Sequence, residues 1–276
     1  MKKKPFDIFL SGITYVAAGI TLLVLALIIG YILVKGIPYL KPSLFALKYT
    51  SDNVSVFPAI ISTIIITLIS LLIAVPFGIM SAVYLIEYAK RGNKLVSVIR
   101  VTTESLAGIP SIVYGLFGLL FFVTYLKWGF SILAGAFTLA IMILPLILRT
   151  TEEALKSVSD TYREGSFGLG AGKIRTVFKI ILPSAVPGIL AGVILAVGRI
   201  VGETAALIYT SGTVAQIPEG TNFAFMSART LSVHMYALSS EGFHTNEAYA
   251  TAVVLLVIVI GINSISALVA KKFMRN

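Results

Sequence analysis

The sequence lacks cysteine and is poor in histidine. It contains no cysteine and only two histidines among its 276 residues. The absence of cysteine excludes a disulfide framework, a thiolate metal site and a cysteine nucleophile. The two histidines, His234 and His244, are too far apart to share a helical metal site, and no cluster of carboxylates joins them. We therefore expect neither a metal site nor a bound cofactor.

Charged residues are also scarce. They make up 12% of the chain, whereas hydrophobic residues make up 57%. Soluble domains typically contain about 25% charged and about 45–50% apolar residues. This composition excludes a soluble globular protein and indicates an integral membrane protein, whose spans need roughly 20 apolar residues each. The length fits one transmembrane domain over residues 1–276.

The apolar residues fall into long runs, which predict an all-α membrane protein with six transmembrane helices. Lys2, Lys3 and Lys4 precede the first run and resemble the start of a signal peptide. That run is longer than the apolar region of a signal peptide and no clear cleavage site follows, so we interpret it as a retained helix. The predicted spans are 8–34, 58–86, 104–126, 129–148, 185–210 and 248–270.

The positive charge is distributed unevenly around these spans. Sixteen of the 22 Lys and Arg residues lie in the two terminal tails and in the loops after spans 2 and 4. Because cytoplasmic loops carry the excess of Lys and Arg, both termini are predicted to be cytoplasmic. The net charge of +10 is thereby explained by membrane topology, without a nucleic-acid partner. On the outside, residues 223–238 are weakly amphipathic and predict a short interfacial helix.

The loop after span 4 has the pattern of two short helices at the membrane surface. Thr161 and Glu164 form a capping-box pattern that predicts a helix start, and Gly170 and Gly172 predict its end. An amphipathic segment then leads to the prolines at the start of span 5. The segment 168–173 resembles a phosphate-binding loop, but Phe and Ile occupy positions where that motif needs Gly and Ser or Thr. We therefore expect no nucleotide binding by this chain.

The same loop resembles the cytoplasmic signature of the membrane subunits of bacterial ABC importers. Glu164, Gly170, Ile180, Leu182 and Pro183 fall at the spacings of that signature, and its two small positions hold Gly165 and Ser166. The resemblance implies a multi-pass permease of the inner membrane with the type I importer architecture. In that architecture the first helix, 8–34, is peripheral and residues 58–270 form a five-helix core. Residues 151–184 would be the coupling loop that docks on an ATPase through Glu164, Gly165, Ser166 and Gly170.

Three further segments are similar to the permeases of phosphate-specific ABC importers, the PstA type. They are 104–115, 148–153 and 199–205, the last reading Arg-Ile-Val-Gly-Glu-Thr-Ala. The resemblance implies a path for inorganic phosphate, with no catalytic residues in this chain. It also implies a homologous second permease, two copies of an ATPase and an extracytoplasmic phosphate-binding protein. An importer permease for another oxyanion or solute is the alternative. A secondary transporter is disfavoured because it needs no ATPase-docking loop.

Charged residues at the spans provide candidates for the phosphate path. Arg199 and Glu203 stand four residues apart, so a helix over 185–210 would place them on one face, with Arg199 near its centre. A charge at the bilayer centre is costly and needs a partner or a polar cavity. The guanidinium suits an oxyanion through two parallel hydrogen bonds, and Glu203 would orient it; a buried structural ion pair is the alternative. The resemblance adds Arg149 as an inner anion contact, whereas its position also suits a cytoplasmic anchor.

Glycine and proline residues mark positions for close packing or bending. Gly188 and Gly192, and likewise Gly198 and Gly202, have the spacing at which small residues let helices approach. Pro110, beside Gly108, predicts a bent segment that lines the pore. We assign these five positions to helix packing or gating.

Overall fold

A computed structural model describes residues 5–90 and 92–274 of the chain. The basic residues Lys2, Lys3, Lys4, Arg91 and Arg275, which contribute to the charge distribution, lie outside these ranges. Over the described residues the chain forms α-helices joined by turns, with no strand. The helices are α1 Pro5–Gly36, α2 Phe57–Val83, α3 Lys94–Ala107, α4 Ser111–Gly118, α5 Ile132–Ser157, α6 Asp160–Gly168, α7 Lys173–Thr176, α8 Leu182–Val201, α9 Ala205–Ile208, α10 Leu231–Glu241 and α11 Thr245–Met274.

The helices confirm an all-α protein with five or six candidate spans. Within the described ranges, five helical segments are long and apolar enough to cross a membrane, and a bent helix pair makes the sixth. The straight segments are Leu10–Tyr39, Phe57–Tyr88, Ile132–Ser157, Lys173–Val201 and Thr245–Ile265. They lie close to the predicted spans, except in the third and fifth.

The third span is broken, not a single helix over 104–126. It consists of Val96–Ala107 and Ser111–Tyr125, which meet at 103°. The break coincides with Pro110, which lacks an N–H and disfavours helical geometry in the residue before it. The Tyr114 hydroxyl donates a hydrogen bond to the carbonyl of Leu106 across the break, at 2.8 Å. The bend expected at Pro110 is therefore present, but α3 begins well inside the predicted cytoplasmic loop.

The fifth span also differs from the predicted 185–210. Its helical segment runs from Lys173 to Val201 and consists of α7, a π-helical turn at Val177–Ile181 and α8. Pro183 does not prevent the helical segment from starting before it, because Pro183 occupies the first turn of α8, where a missing N–H costs little. Beyond Val201 the chain leaves helical geometry, with Thr204 at φ −121° and ψ −53°, before the single turn of α9. Arg199 consequently lies in the last turn of α8 and not at the centre of a span.

Helix α5 is the centre of the packing, with α2 and α8 lying against it. Its inward side chains include Leu139, Ile143 and Ile147, all fully buried. By contrast, the apolar side chains of α1 are exposed, and α1 packs mainly on α11, where Gly36 lies against Tyr249 and Val253. The large apolar surface that remains exposed is suited to lipid and to partner subunits.

The helix predicted over 223–238 is shorter and more deeply buried than an interfacial helix. The structure has a 3₁₀ turn at Phe223–Phe225 and then α10, Leu231–Glu241. Leu231, His234 and Leu238 are fully buried, and the N–H of Leu231 donates to Thr63 Oγ1 of α2 at 2.8 Å. The weak amphipathic pattern was misleading because α10 packs inside the protein on several sides.

Candidate functional site

Arg199 and Glu203 do not form the expected pair on one helix face. Helix α8 ends between them, and Glu203 turns towards α9: its Oε1 accepts a hydrogen bond from the N–H of Ala206 at 3.1 Å. The carbonyl of Glu203 accepts a second bond from Ser232 Oγ at 2.5 Å. Glu203 is buried, and its observed contacts are those of a helix cap that joins α9 to the start of α10.

Arg199 retains its hydrogen-bonding capacity. It is half-buried, and in the described part of the chain no carboxylate lies within 4.0 Å of its guanidinium. The buried side chain of Tyr114 in α4 is near enough for an electrostatic interaction. The dipole of α8 stabilises the Arg199 cation at the carbonyl end of the helix by about 0.3–1 kcal/mol. This interaction does not occupy the N–H donors of the guanidinium. The arrangement leaves a planar cation available for an anion.

Arg149 has a different environment. Its Nε donates to Glu153 Oε1 at 3.1 Å, and both side chains are largely exposed. Arg149 borders a cavity of about 270 Å³ between α3 and α5, which Arg100, Glu104 and Lys156 also line. Because acidic and basic residues are mixed there, the cavity is a weaker anion site than the surroundings of Arg199. Arg199 does not line this cavity.

The predicted coupling loop contains α6, which begins earlier than expected. Ser159 is the N-cap: its Oγ accepts from the N–H of Thr161 at 3.3 Å, so the helix starts at Asp160 and the expected Thr161–Glu164 capping box does not form. The helix ends at Gly168, and Gly170 follows with φ +78°, a conformation that favours glycine. The two-helix arrangement is therefore present, with its first helix starting earlier in the chain than predicted.

The signature residues of the loop divide into an inward and an outward set. Ser166 is buried, and its Oγ lies 2.8 Å from Thr176 Oγ1, which fixes α6 against α7. Glu164 and Gly165 are exposed, and a Cβ added at Gly165 would meet no atom within 4 Å. Exposed apolar side chains surround them: Tyr162, Phe167, Leu169, Ile174 and Phe178. An exposed apolar patch of this kind, just before and at the start of the fifth span, is typical of a protein interface.

The four glycines of span 5 are not equivalent. A Cβ at Gly188 would lie 2.7 Å from Ala154 Cβ, and one at Gly192 would lie 2.6 Å from Thr150 Cβ. Gly188 and Gly192 thus permit close contact between α8 and α5. A Cβ at Gly198 would meet nothing within 4 Å, and one at Gly202 would meet only the carbonyl of Gly198. Close packing against α5 therefore explains the need for glycine at positions 188 and 192, but not at 198 and 202.

This difference predicts that alanine substitutions at Gly192 and Gly198 have different effects on thermal stability. Gly192→Ala should lower the melting temperature of the detergent-solubilised protein, since overpacking costs about 1–3 kcal/mol. Thr150 cannot easily move away, because its Oγ1 donates to the carbonyl of Leu146 at 2.9 Å. The matched control, Gly198→Ala, should leave the melting temperature unchanged or raise it slightly through better helix propensity. Equal melting temperatures for the two variants would contradict this packing.

Sequence reasoning missed two buried polar clusters. Arg163 forms an ion pair with Glu87 at 2.7 Å, although the two residues are far apart in the chain. The only local signal was that Arg163 precedes the Glu164 of the signature. On the other side of the protein, His234 Nε2 lies 3.2 Å from the carbonyl of Val54, and the ring packs edge-on against Tyr49. No His, Asp or Glu cluster suited to a metal occurs in the residues described.

His234 predicts a pH-dependent stability. Burial and the neighbouring Arg229 cation lower the pKa of His234 from 6.5 to about 3. Below about pH 6.5 the unfolded chain therefore takes up a proton that the folded chain does not, and stability falls by about 1.4 kcal/mol per pH unit for this group. The melting temperature of the wild type should drop more steeply between about pH 7 and about pH 5 than that of His234→Gln. Parallel curves for the two proteins would contradict this.

Comparison with known proteins shows the family of this chain. The family model of the binding-protein-dependent transport system inner membrane component matches residues 74–275. A probable ABC transporter permease of Bacillus subtilis, YqgI, is 34% identical over 88% of this chain and 86% of its own length. The phosphate transport system permease PstA of Haemophilus influenzae is 31% identical over 95% of this chain and 92% of its own length, and PstA 1 of Mycobacterium tuberculosis is 33% identical over 78% of this chain and 70% of its own length.

Solved structures show the fold. A chain of the inward-facing MetNI methionine ABC transporter aligns with a TM-score of 0.60 and 19% identity, covering 79% of this chain and 94% of that one. A chain of a bacterial alginate ABC transporter aligns with a TM-score of 0.66 and 16% identity, covering 96% of both. The type I importer architecture expected from the resemblance is thereby confirmed. The chain belongs to the binding-protein-dependent inner membrane component family, and it is a multi-pass transport subunit of the inner membrane, not an enzyme.

Proposed function

We propose that this chain forms half of the translocation path of an ATP-driven importer for inorganic phosphate. The observation that carries the proposal is Arg199, a half-buried guanidinium without a carboxylate partner in the described residues. A planar cation with free donors suits a tetrahedral oxyanion. The relatives named as phosphate transport permeases support the same substrate.

The proposal includes the partners that such a subunit needs. The exposed surface of α6 and α7, centred on Gly165, receives one of two copies of a cytoplasmic ATPase. A homologous second permease completes the path beside Arg199, and an extracytoplasmic phosphate-binding protein delivers the substrate. Lipid surrounds the remaining apolar faces of the spans.

The assembly is tested by affinity purification of the tagged chain from its native membrane. The expected result is a complex with one homologous permease and two ATPase subunits, whose ATPase activity rises when the phosphate-loaded binding protein is added. Stimulation by a binding protein loaded with another solute, and not by the phosphate-loaded one, would support the second candidate, an importer permease for that solute. This candidate is retained because the YqgI relative carries no substrate in its name.

The proposed topology places both termini and the coupling loop in the cytoplasm. It can be tested with single cysteines, because the native chain contains none. Glu219→Cys, in the exposed segment before α10, should react with an impermeant maleimide added to intact cells. Arg175→Cys, exposed on α7, should react only after the membrane is opened. The reverse pattern would contradict the topology.

A further inference from the structure

Arg163 occupies the centre of a hydrogen-bond cluster beneath the coupling helix α6. An arginine has five N–H donors, and Arg163 makes five donor contacts. Nε and Nη2 donate to Glu87 Oε1 at 3.2 and 2.7 Å, and Nη2 also donates to the carbonyl of Leu155 at 3.1 Å. Nη1 donates to the carbonyl of Val158 at 2.9 Å and to Asp160 Oδ1 at 3.0 Å. The side chain is thus fully engaged.

The acceptors belong to three different parts of the fold. Glu87 lies in the π-helical turn Tyr84–Tyr88 that continues α2. Leu155 is in the last turn of α5, Val158 follows that helix, and Asp160 is the first residue of α6. Since the last carbonyls of a helix have no partner within it, Arg163 also caps α5. One side chain therefore ties α6 to the cytoplasmic ends of both α2 and α5.

The Arg163–Glu87 pair is better shielded from water than the Arg149–Glu153 pair. The side chains of Arg163 and Glu87 are 17% and 9% exposed, whereas Arg149 and Glu153, which pair along α5, are 69% and 62% exposed. Exposed pairs contribute little, but a pair shielded from water is sensitive to the loss of either partner. In the part of the chain that the structure describes, Arg163–Glu87 is the ion pair that joins the coupling helix to a span.

The connections of α6 explain why such a pair matters. Only Val158 and Ser159 separate α5 from α6, so a displacement of α6 reaches α5 through the backbone. No comparably short backbone connection leads from α6 to α2, which lies earlier in the chain. The contact through Arg163 and Glu87 is the direct polar link between them.

We infer that the Arg163–Glu87 pair transmits movement of the coupling helix to α2, so that α2 and α5 move together when the ATPase acts. Arg163 is a positioning residue in this scheme and does not contact the substrate. The inference rests on the proposed function, because it requires an ATPase docked on α6. It predicts that disruption of the pair separates ATP hydrolysis from import.

The test uses the complete importer in proteoliposomes, with inorganic phosphate and its binding protein outside and the ATPase sites supplied with ATP. The variants are Arg163→Gln, Glu87→Gln and the double variant Arg163→Gln/Glu87→Gln, which leaves no lone buried charge. Lys94→Gln is the control, since Lys94 is an exposed cation at the start of α3, outside the proposed docking surface. The readouts are phosphate imported per ATP hydrolysed and the melting temperature of each complex.

The double variant should assemble and hydrolyse ATP, while its import per ATP falls about tenfold, a typical size for coupling between sites. Each single variant should show a similar loss, and the losses should not add in the double variant. The inference is overturned if the double variant imports as much phosphate per ATP as Lys94→Gln, whether or not its melting temperature changes. A wild-type complex that binds no ATPase would instead overturn the proposed function.

Discussion

An Arg199→Gln importer should assemble normally and hydrolyse ATP, yet move little phosphate. The substitution removes the charge but keeps a polar side chain in the last turn of α8, where Arg199 has no carboxylate partner among the described residues to be left unpaired. Losing a charged hydrogen bond to a desolvated anion costs about 2–5 kcal/mol, which corresponds to roughly a 30-fold to several-thousand-fold loss. The measurement is uptake of labelled phosphate into proteoliposomes, with ATPase activity recorded in parallel.

Two further arginine variants serve as controls for this prediction. Arg199→Lys should restore uptake only in part, because an ammonium lacks the planar fork of the guanidinium. Arg149→Gln should have the smaller effect of the two Gln variants, because Arg149 is exposed and already bound to Glu153. Wild-type uptake by a correctly inserted Arg199→Gln complex would refute the role of Arg199 in the anion path.

The second large effect is expected at Gly165, on the exposed side of α6. Gly165→Trp should fold normally, since a Cβ there meets no atom within 4 Å, yet the variant should fail to retain the ATPase. A bulky side chain at the centre of an interface prevents the close contact on which binding depends. The measurement is the amount of ATPase recovered with the tagged permease, together with phosphate uptake.

The control places the same bulk elsewhere on the side that is predicted to be cytoplasmic. Lys94→Trp, at the exposed start of α3, should retain the ATPase, because Lys94 lies outside the coupling loop. Both variants should melt near the wild-type temperature. Stoichiometric recovery of the ATPase with Gly165→Trp would remove the assignment of α6 as the docking surface.

Local sequence patterns predicted most of the spans and the two short helices of the loop after span 4. Long apolar runs identify spans because lipid requires them, and the break at Pro110 follows from the covalent structure of proline. The same local reasoning failed around Pro183, which starts a turn of helix as readily as it ends one. It therefore placed span 5 too far along the chain and Arg199 too near its centre.

The site depends on contacts that local patterns do not encode. Glu203 was expected to pair with Arg199 through helical spacing, but the helix ends at Val201 and Glu203 caps α9. Arg163 and Glu87 meet only because α2, α5 and α6 converge at one end of the protein. Likewise, the spacing of the span 5 glycines is regular, yet only the geometry shows that Gly192 faces α5 and Gly198 does not.

Reconstitution of solute uptake tests the central claim most directly. The purified complex of this chain, its partner permease and the ATPase is placed in proteoliposomes, and the phosphate-binding protein and labelled phosphate are added. The account predicts ATP-dependent accumulation of phosphate that excess unlabelled phosphate abolishes and excess sulfate does not. ATP-dependent accumulation of a different solute, with no phosphate uptake by the same active complex, would contradict it.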